Sequence, residues 1–142
     1  MIILLLLLHI FQPPLPSDTG GSLLLRIDNI EQPGGMVWVG IYDSQSSFLN
    51  QEKAVLVQGE KIERAGKTML RLREIPYGTY AAALFYDENN NGVMEQNWIG
   101  IPLEPYGFSV PFSPKWRAPR FNEVKFDFLR DGQLLETELM RW

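Results

Sequence analysis

The sequence predicts an all-β domain, an antiparallel β-sandwich of about seven strands with a transthyretin-like or immunoglobulin-like outline. Three observations carry this reading. Apolar and polar residues alternate in short runs, the period of a strand with one buried face. Turn sequences separate the runs, among them Gln32-Pro33-Gly34-Gly35, Pro76-Tyr77-Gly78 and Asp131-Gly132. No segment of useful length combines a helical period with caps.

The elements follow in order. Ser22 to Ile30 alternates, with Leu23, Leu25 and Ile27 on one face and Arg26 and Asp28 on the other. Met36 to Tyr42 sets Val37, Val39 and Ile41 against Trp38 and Tyr42. Asp43 to Gln51 reads as a loop plugged by Phe48 and Leu49, and Ala54 to Gln58 as a short edge strand. Thr68 to Ile75 points Leu70 and Leu72 inward, and Arg71 and Arg73 outward. Thr79 to Tyr86 is almost wholly apolar, so a central strand buried on both faces is predicted. Tyr80 at its start can tie the preceding turn to the backbone through its hydroxyl. Glu123 to Leu129 alternates with Val124, Phe126 and Phe128 inward, and the Asp131-Gly132 turn predicts a C-terminal hairpin over 123–139.

Composition narrows the function. The chain has 142 residues, 45% of them hydrophobic, enough for one sandwich core. Net charge is -4 and the pI about 5.0, which argues against a nucleic-acid partner. There is no cysteine, so disulfides, thiolate catalysis and a lipid-anchored cysteine are excluded. The one histidine is His9, inside an apolar run from residue 2 to residue 11. That run is too short to cross a bilayer, which takes about 20 residues. It suits a signal peptide over 1–17, although no Lys or Arg precedes it. Gly20-Gly21 then reads as a joint closing a linker over 18–21, before one domain over 22–142. After cleavage the chain would hold no histidine and no membrane span, and histidine-based catalysis or metal ligation would be impossible. The expected compartment is periplasmic or secreted.

The densest run of special residues is Asp87 to Ser109. Asp87, Asn89 and Asn91 stand at alternate positions, followed by Gly92 and then Glu95, the opening spacing of a calcium loop. Trp98 occupies the position where an EF-hand has its second carboxylate, so no EF-hand is present. Two readings stand side by side: a weak calcium site using Asp87, Asn89, Asn91 and Glu95, or an Asx-rich turn with no metal. The second half carries Trp98, Ile99, Pro102, Tyr106 and Phe108, with Gly100 and Gly107 placed to allow tight bends. These aromatics either stack on a sugar or peptide or form a mini-core that pins the loop, and packing is the preferred reading. Asp87, Glu95 and Glu104 could also form a glycosidase-like carboxylate pair, a use of the same groups that competes with calcium. Glu104 is instead read as an anchor for the loop through backbone hydrogen bonds. Trp116 to Phe121 reads as a strand-connecting loop.

Three stretches together resemble one bacterial family, domain of unknown function 2141. They are the run from Tyr77 to Glu95, the run from Trp98 to Ser109, and Ala118 to Phe126. The resemblance covers about Leu23 to Leu129 and implies a small exported β-sandwich; it implies no activity. The family's acidic loop falls on Asp87, Asn89, Asn91, Gly92 and Glu95. Its following signature falls on Gly100, Pro102, Glu104, Tyr106, Gly107, Phe108 and Ser109. Members usually carry a histidine before the loop and an Asp near its end, where this chain has Tyr86 and Glu95. The expectation is an exported, non-catalytic binding or accessory module for an unknown protein or carbohydrate ligand. The alternative is a calcium-dependent carbohydrate-binding or carbohydrate-active protein using the 87–109 loop.

Overall fold

A computed structural model describes residues 19–113 and 116–142. The expected signal peptide over 1–17 lies outside the described residues. Among the described residues, eight strands form two sheets. The smaller holds β4 (Gly66–Pro76), β1 (Gly20–Ile30) and β8 (Gln133–Thr137), in that order. The larger runs β3 (Leu56–Lys61), β2 (Met36–Tyr42), β5 (Gly78–Asp87) and β6 (Tyr106–Phe108), and β7 (Phe126–Phe128) pairs with the start of β5. All pairings are antiparallel except β1 with β8.

The alternation predicted for β1, β2 and β4 is the observed burial. Leu23, Leu25, Ile27, Val37, Val39, Ile41, Leu70 and Leu72 fill the space between the sheets. The double burial predicted for β5 holds in part: Thr79 is exposed, and Ala83 and Phe85 are half-buried. Tyr80, Ala82, Leu84 and Tyr86 face this core, while Ala81, Ala83 and Phe85 face a second cluster with Tyr42, Phe48, Tyr106, Phe108, Phe121 and Val124. The larger sheet is therefore apolar on its outer face too, and loops cover part of it. Tyr80 donates to the Pro76 carbonyl at 2.8 Å across the β4–β5 turn.

Several expectations change. Gly20 and Gly21 are not a joint: they pair with Pro76 and Ile75 as the first residues of β1. They are glycines because of close approach, since a Cβ on Gly20 would stand 2.5 Å from the Ile75 carbonyl oxygen. The C-terminal hairpin over 123–139 does not form. The Asp131-Gly132 turn is present, but β7 joins β5 and β8 joins β1, so the chain crosses between sheets at that turn. The strand read over Glu123 to Leu129 is broken by one helical turn, α1 (Phe121–Val124). There the Glu123 carboxylate returns to the Arg120 N–H at 2.7 Å, and Phe121 and Val124 both turn into the second cluster. Alternation alone could not separate one helical turn from the end of a strand. Of the plug residues, Phe48 is buried but Leu49 is exposed, and the edge strand begins two residues later than read.

Candidate functional site

The 87–109 loop springs from the buried end of β5. Asp87 pairs with Met36 in the ladder and is 1% exposed. Its carboxylate accepts the Asn91 N–H at 3.1 Å, the Gly92 N–H at 2.7 Å and the Trp38 indole N–H at 3.2 Å. A buried carboxylate needs such donors, because burying it without partners costs several kcal/mol. Gly92 supplies the positive φ of 76° that brings its N–H round to Asp87.

The other oxygen-bearing residues of the run close on one another. Asn89 Oδ1 accepts the Asn91 N–H at 3.2 Å, and Asn91 Oδ1 accepts the Val93 N–H at 2.9 Å. The side-chain amides of Asn89 and Asn91 both donate to Glu95 Oε1, at 3.0 and 2.9 Å. Amide N–H groups, not amide oxygens, thus face the Glu95 carboxylate. Among the described residues, no three His, Cys, Asp or Glu side chains gather as a metal-holding group. The four residues named for calcium are brought together, with N–H donors on both Asp87 oxygens, on the Asn89 and Asn91 Oδ1 atoms and on Glu95 Oε1.

Glu104 is the second anchor. It is 3% exposed and accepts the Glu88 N–H at 3.1 Å and the Glu95 N–H at 3.3 Å, clamping both ends of the acidic turn. Burial pushes its carboxyl pKa up, against the pull of those two N–H groups and with added repulsion from Asp87 and Glu95. Glu104 spends its oxygens on the loop's own backbone, and Asp87 spends its own there and on the Trp38 indole.

Beyond Glu95 the chain makes a small hairpin of its own. Leu103 N–H bonds Glu95 carbonyl, Asn97 N–H bonds Ile101 carbonyl, and Gln96 bridges to Pro102. Asn97 Oδ1 accepts the Ile99 and Ile101 N–H groups, both at 3.0 Å, and Gly100 turns the tip at φ 83°. Trp98 at this tip is 95% exposed, with Ile99 beside it also exposed. The mini-core reading therefore divides: Tyr106 and Phe108 are buried packing, whereas Trp98 presents its ring to solvent. Gly107 makes no bend. It lies in β6, where a Cβ would stand 2.7 Å from the Glu138 carbonyl oxygen. Ser109 closes the loop, accepting the Ala82 N–H at 3.0 Å and donating to the Val124 carbonyl.

The hairpin overhangs the part of the larger sheet that the described residues leave uncovered. Between them lies a cleft of about 650 Å³. Trp38, Val57 and Phe85 contribute from the sheet, and Met94, Ile99 and Ile101 from the overhang. Trp116, Pro119 and the C-terminal Trp142 also line it. Gly59 leaves room for Trp38, since a Cβ there would stand 2.8 Å from the indole ring. Sequence reasoning missed this cleft, and with it Trp38, Trp116 and Trp142. Trp38 sits on the outward face of an alternating strand, a large apolar residue where a polar one is ordinary, and that was the available signal.

Among the described residues, no helix is long and apolar enough to cross a membrane. No curated protein and no solved structure matches the chain. The sequence signature described as "Uncharacterized protein conserved in bacteria (DUF2141)" matches residues 25–135, so the chain belongs to that family.

Proposed function

We propose that this chain is an exported, non-catalytic β-sandwich module that binds its ligand in the cleft between the 92–102 overhang and the 116–119 segment. One observation carries the reading: Asp87 and Glu104 are consumed in holding the overhang over an apolar sheet face that the described residues leave open. A concave, mostly apolar site on a rigid frame is the general form of a small-molecule site. Export is supported by the apolar run over residues 2 to 11.

The four tryptophans are natural reporters. Indole N–H resonances of ¹⁵N-labelled protein, titrated with a panel of small apolar aromatics and of oligosaccharides, should shift at Trp38, Trp116 and Trp142 with the aromatics. Shifts confined to Trp98 with the oligosaccharides would favour the carbohydrate alternative. Constant resonances throughout would refute the cleft.

Calcium in the same loop is a second reading, supported by the spacing of the oxygen-bearing residues Asp87, Asn89, Asn91 and Glu95 around Gly92. A cation there would have to displace two amide donors. At 10 mM calcium, a site with Kd near 1 mM would add about 1.4 kcal/mol of stability. A melting temperature that rises with calcium in the parent and not in Glu95→Gln would establish the site.

A further inference from the structure

Tyr106 lines the cleft from β6 and is 5% exposed. Its backbone is engaged on both sides, its N–H donating to the Met140 carbonyl at 2.9 Å and its carbonyl accepting the Met140 N–H at 2.7 Å. The ring packs edge-on against Phe108. Its hydroxyl is buried and has no hydrogen-bond partner, alone in this among the buried side-chain nitrogen and oxygen atoms of the described residues. Tyr80 and Tyr86 show the ordinary arrangement. The first donates to Pro76, and the second donates to Gln32 and accepts from Gly35. An orphaned phenol carries a desolvation penalty that native chains usually avoid, and an unsatisfied group in a native fold asks for a reason.

The chemistry around it limits what could answer that hydroxyl. The cleft that Tyr106 lines has among its walls the rings of Trp38 and Phe85 and the side chains of Met94, Ile99 and Ile101. Gln51 and Gln96 also line the cleft, and both are solvent-exposed. The cation lining it, Arg117, is already held by Glu123 through two bonds of 2.8 Å and lies over the Phe112 ring. Among the described residues lining the cleft, a carboxylate or phosphate would find no free charge. A sugar would bring several hydroxyls against apolar walls and leave them unpaired. The volume of about 650 Å³ lies inside the range of roughly 300–1,000 Å³ typical of small-molecule sites.

We infer that the cleft takes an uncharged, ring-bearing apolar small molecule whose one hydrogen-bond acceptor is met by the Tyr106 hydroxyl; this rests on the binding-module reading above. Met94 is half-buried, lines the cleft and packs against the cluster that contains Tyr106. The Tyr106 hydroxyl is closed to solvent, so a ligand reaches it only as a wall side chain yields, and the unbranched Met94 thioether is the one best able to.

A matched pair of probes tests this. 2-Acetylnaphthalene carries a carbonyl acceptor, and 2-ethylnaphthalene has the same outline without it. Titrated against the protein by fluorescence, the acetyl compound should bind about tenfold more tightly, which corresponds to about 1.4 kcal/mol. Tyr106→Phe should abolish that preference while leaving the ethyl compound's affinity unchanged. The variant should also melt no lower than the parent, since it removes an unpaired group. Equal binding of the two compounds to the parent, or a preference that survives in Tyr106→Phe, overturns this inference and leaves the binding module standing. A clear loss of melting temperature in the variant also overturns it, by showing that the hydroxyl has a partner within the fold. Failure of both compounds to bind overturns the cleft reading itself.

Discussion

Asp87→Asn separates a carboxylate that builds the loop from one that holds a metal. The side chain is buried and accepts three N–H bonds, from Asn91, Gly92 and the Trp38 indole. An asparagine keeps one oxygen. Turned one way, it retains Gly92 and Trp38 and sets its NH₂ against the Asn91 N–H, which still reaches Asn89 Oδ1 at 3.2 Å. Turned the other way, it orphans two donors, so the first arrangement wins. The loss is one charge-assisted hydrogen bond and the weakening of two more to neutral strength. Hydrogen bonds to charged groups are worth about 1.5–3 kcal/mol and neutral ones about 0.5–1.5. Relief from burying a charge offsets part of this, leaving a net destabilisation of about 1–3 kcal/mol. For a domain of this size that is a fall of roughly 4–12 °C in melting temperature. The assay is thermal unfolding of the chain from Asp18 onward, followed by circular dichroism, once with millimolar calcium and once with chelator. The expected fall is the same in both. A fall seen only with calcium would refute the anchoring argument in favour of metal ligation, and a melt within about 1 °C of the parent in both would refute any structural role for the carboxylate.

Gly107→Ala should cost about 1–3 kcal/mol, because the new methyl meets the Glu138 carbonyl oxygen at 2.7 Å and the chain cannot retreat without breaking the Tyr106–Met140 bridge. A lower urea midpoint with an unchanged slope is the expected readout. Arg117 and the Arg120 N–H hold the Glu123 carboxyl down at about 2. A carboxyl depressed in the folded state contributes stability above its unfolded pKa and loses it as pH falls through the folded value. The difference in melting temperature between parent and Glu123→Gln should therefore be constant above about pH 5 and shrink as pH falls from about 4.5 toward 2. A difference that stays flat to pH 2 would show that the Arg117 pair does not persist in solution.

How far the sequence could be read followed the range of the interactions. Strand alternation is local, because successive side chains point to opposite faces. Met36–Tyr42 accordingly emerges with its bounds intact, and the apolar run of Tyr80 to Tyr86 packs against a cluster on each face, with Ala83 and Phe85 half-buried. The Asx-rich turn was legible for the same reason, since Asp87, Asn89, Asn91 and Gly92 bond mainly to backbone within five residues. Glu104 as an anchor could be suspected, but its two N–H partners lie 16 and 9 residues away.

Pairing between distant strands is different. The Asp131-Gly132 turn specifies a reversal of direction; it does not specify which neighbour each flanking strand will take. Tertiary packing sends β7 to β5 and β8 to β1, making a parallel pair where a hairpin was expected. Glycines placed for close approach, such as Gly20 and Gly107, cannot be told from glycines placed for turns until the opposing backbone is known. By itself the sequence determined an all-β frame, its main strands and the chemistry of the acidic turn, because each depends on neighbours along the chain. Only the tertiary structure decided that the described residues leave the outer face of the larger sheet open beneath the overhang and the Tyr106 hydroxyl at its lining unpaired, because both depend on surfaces that residues far apart in sequence bring together.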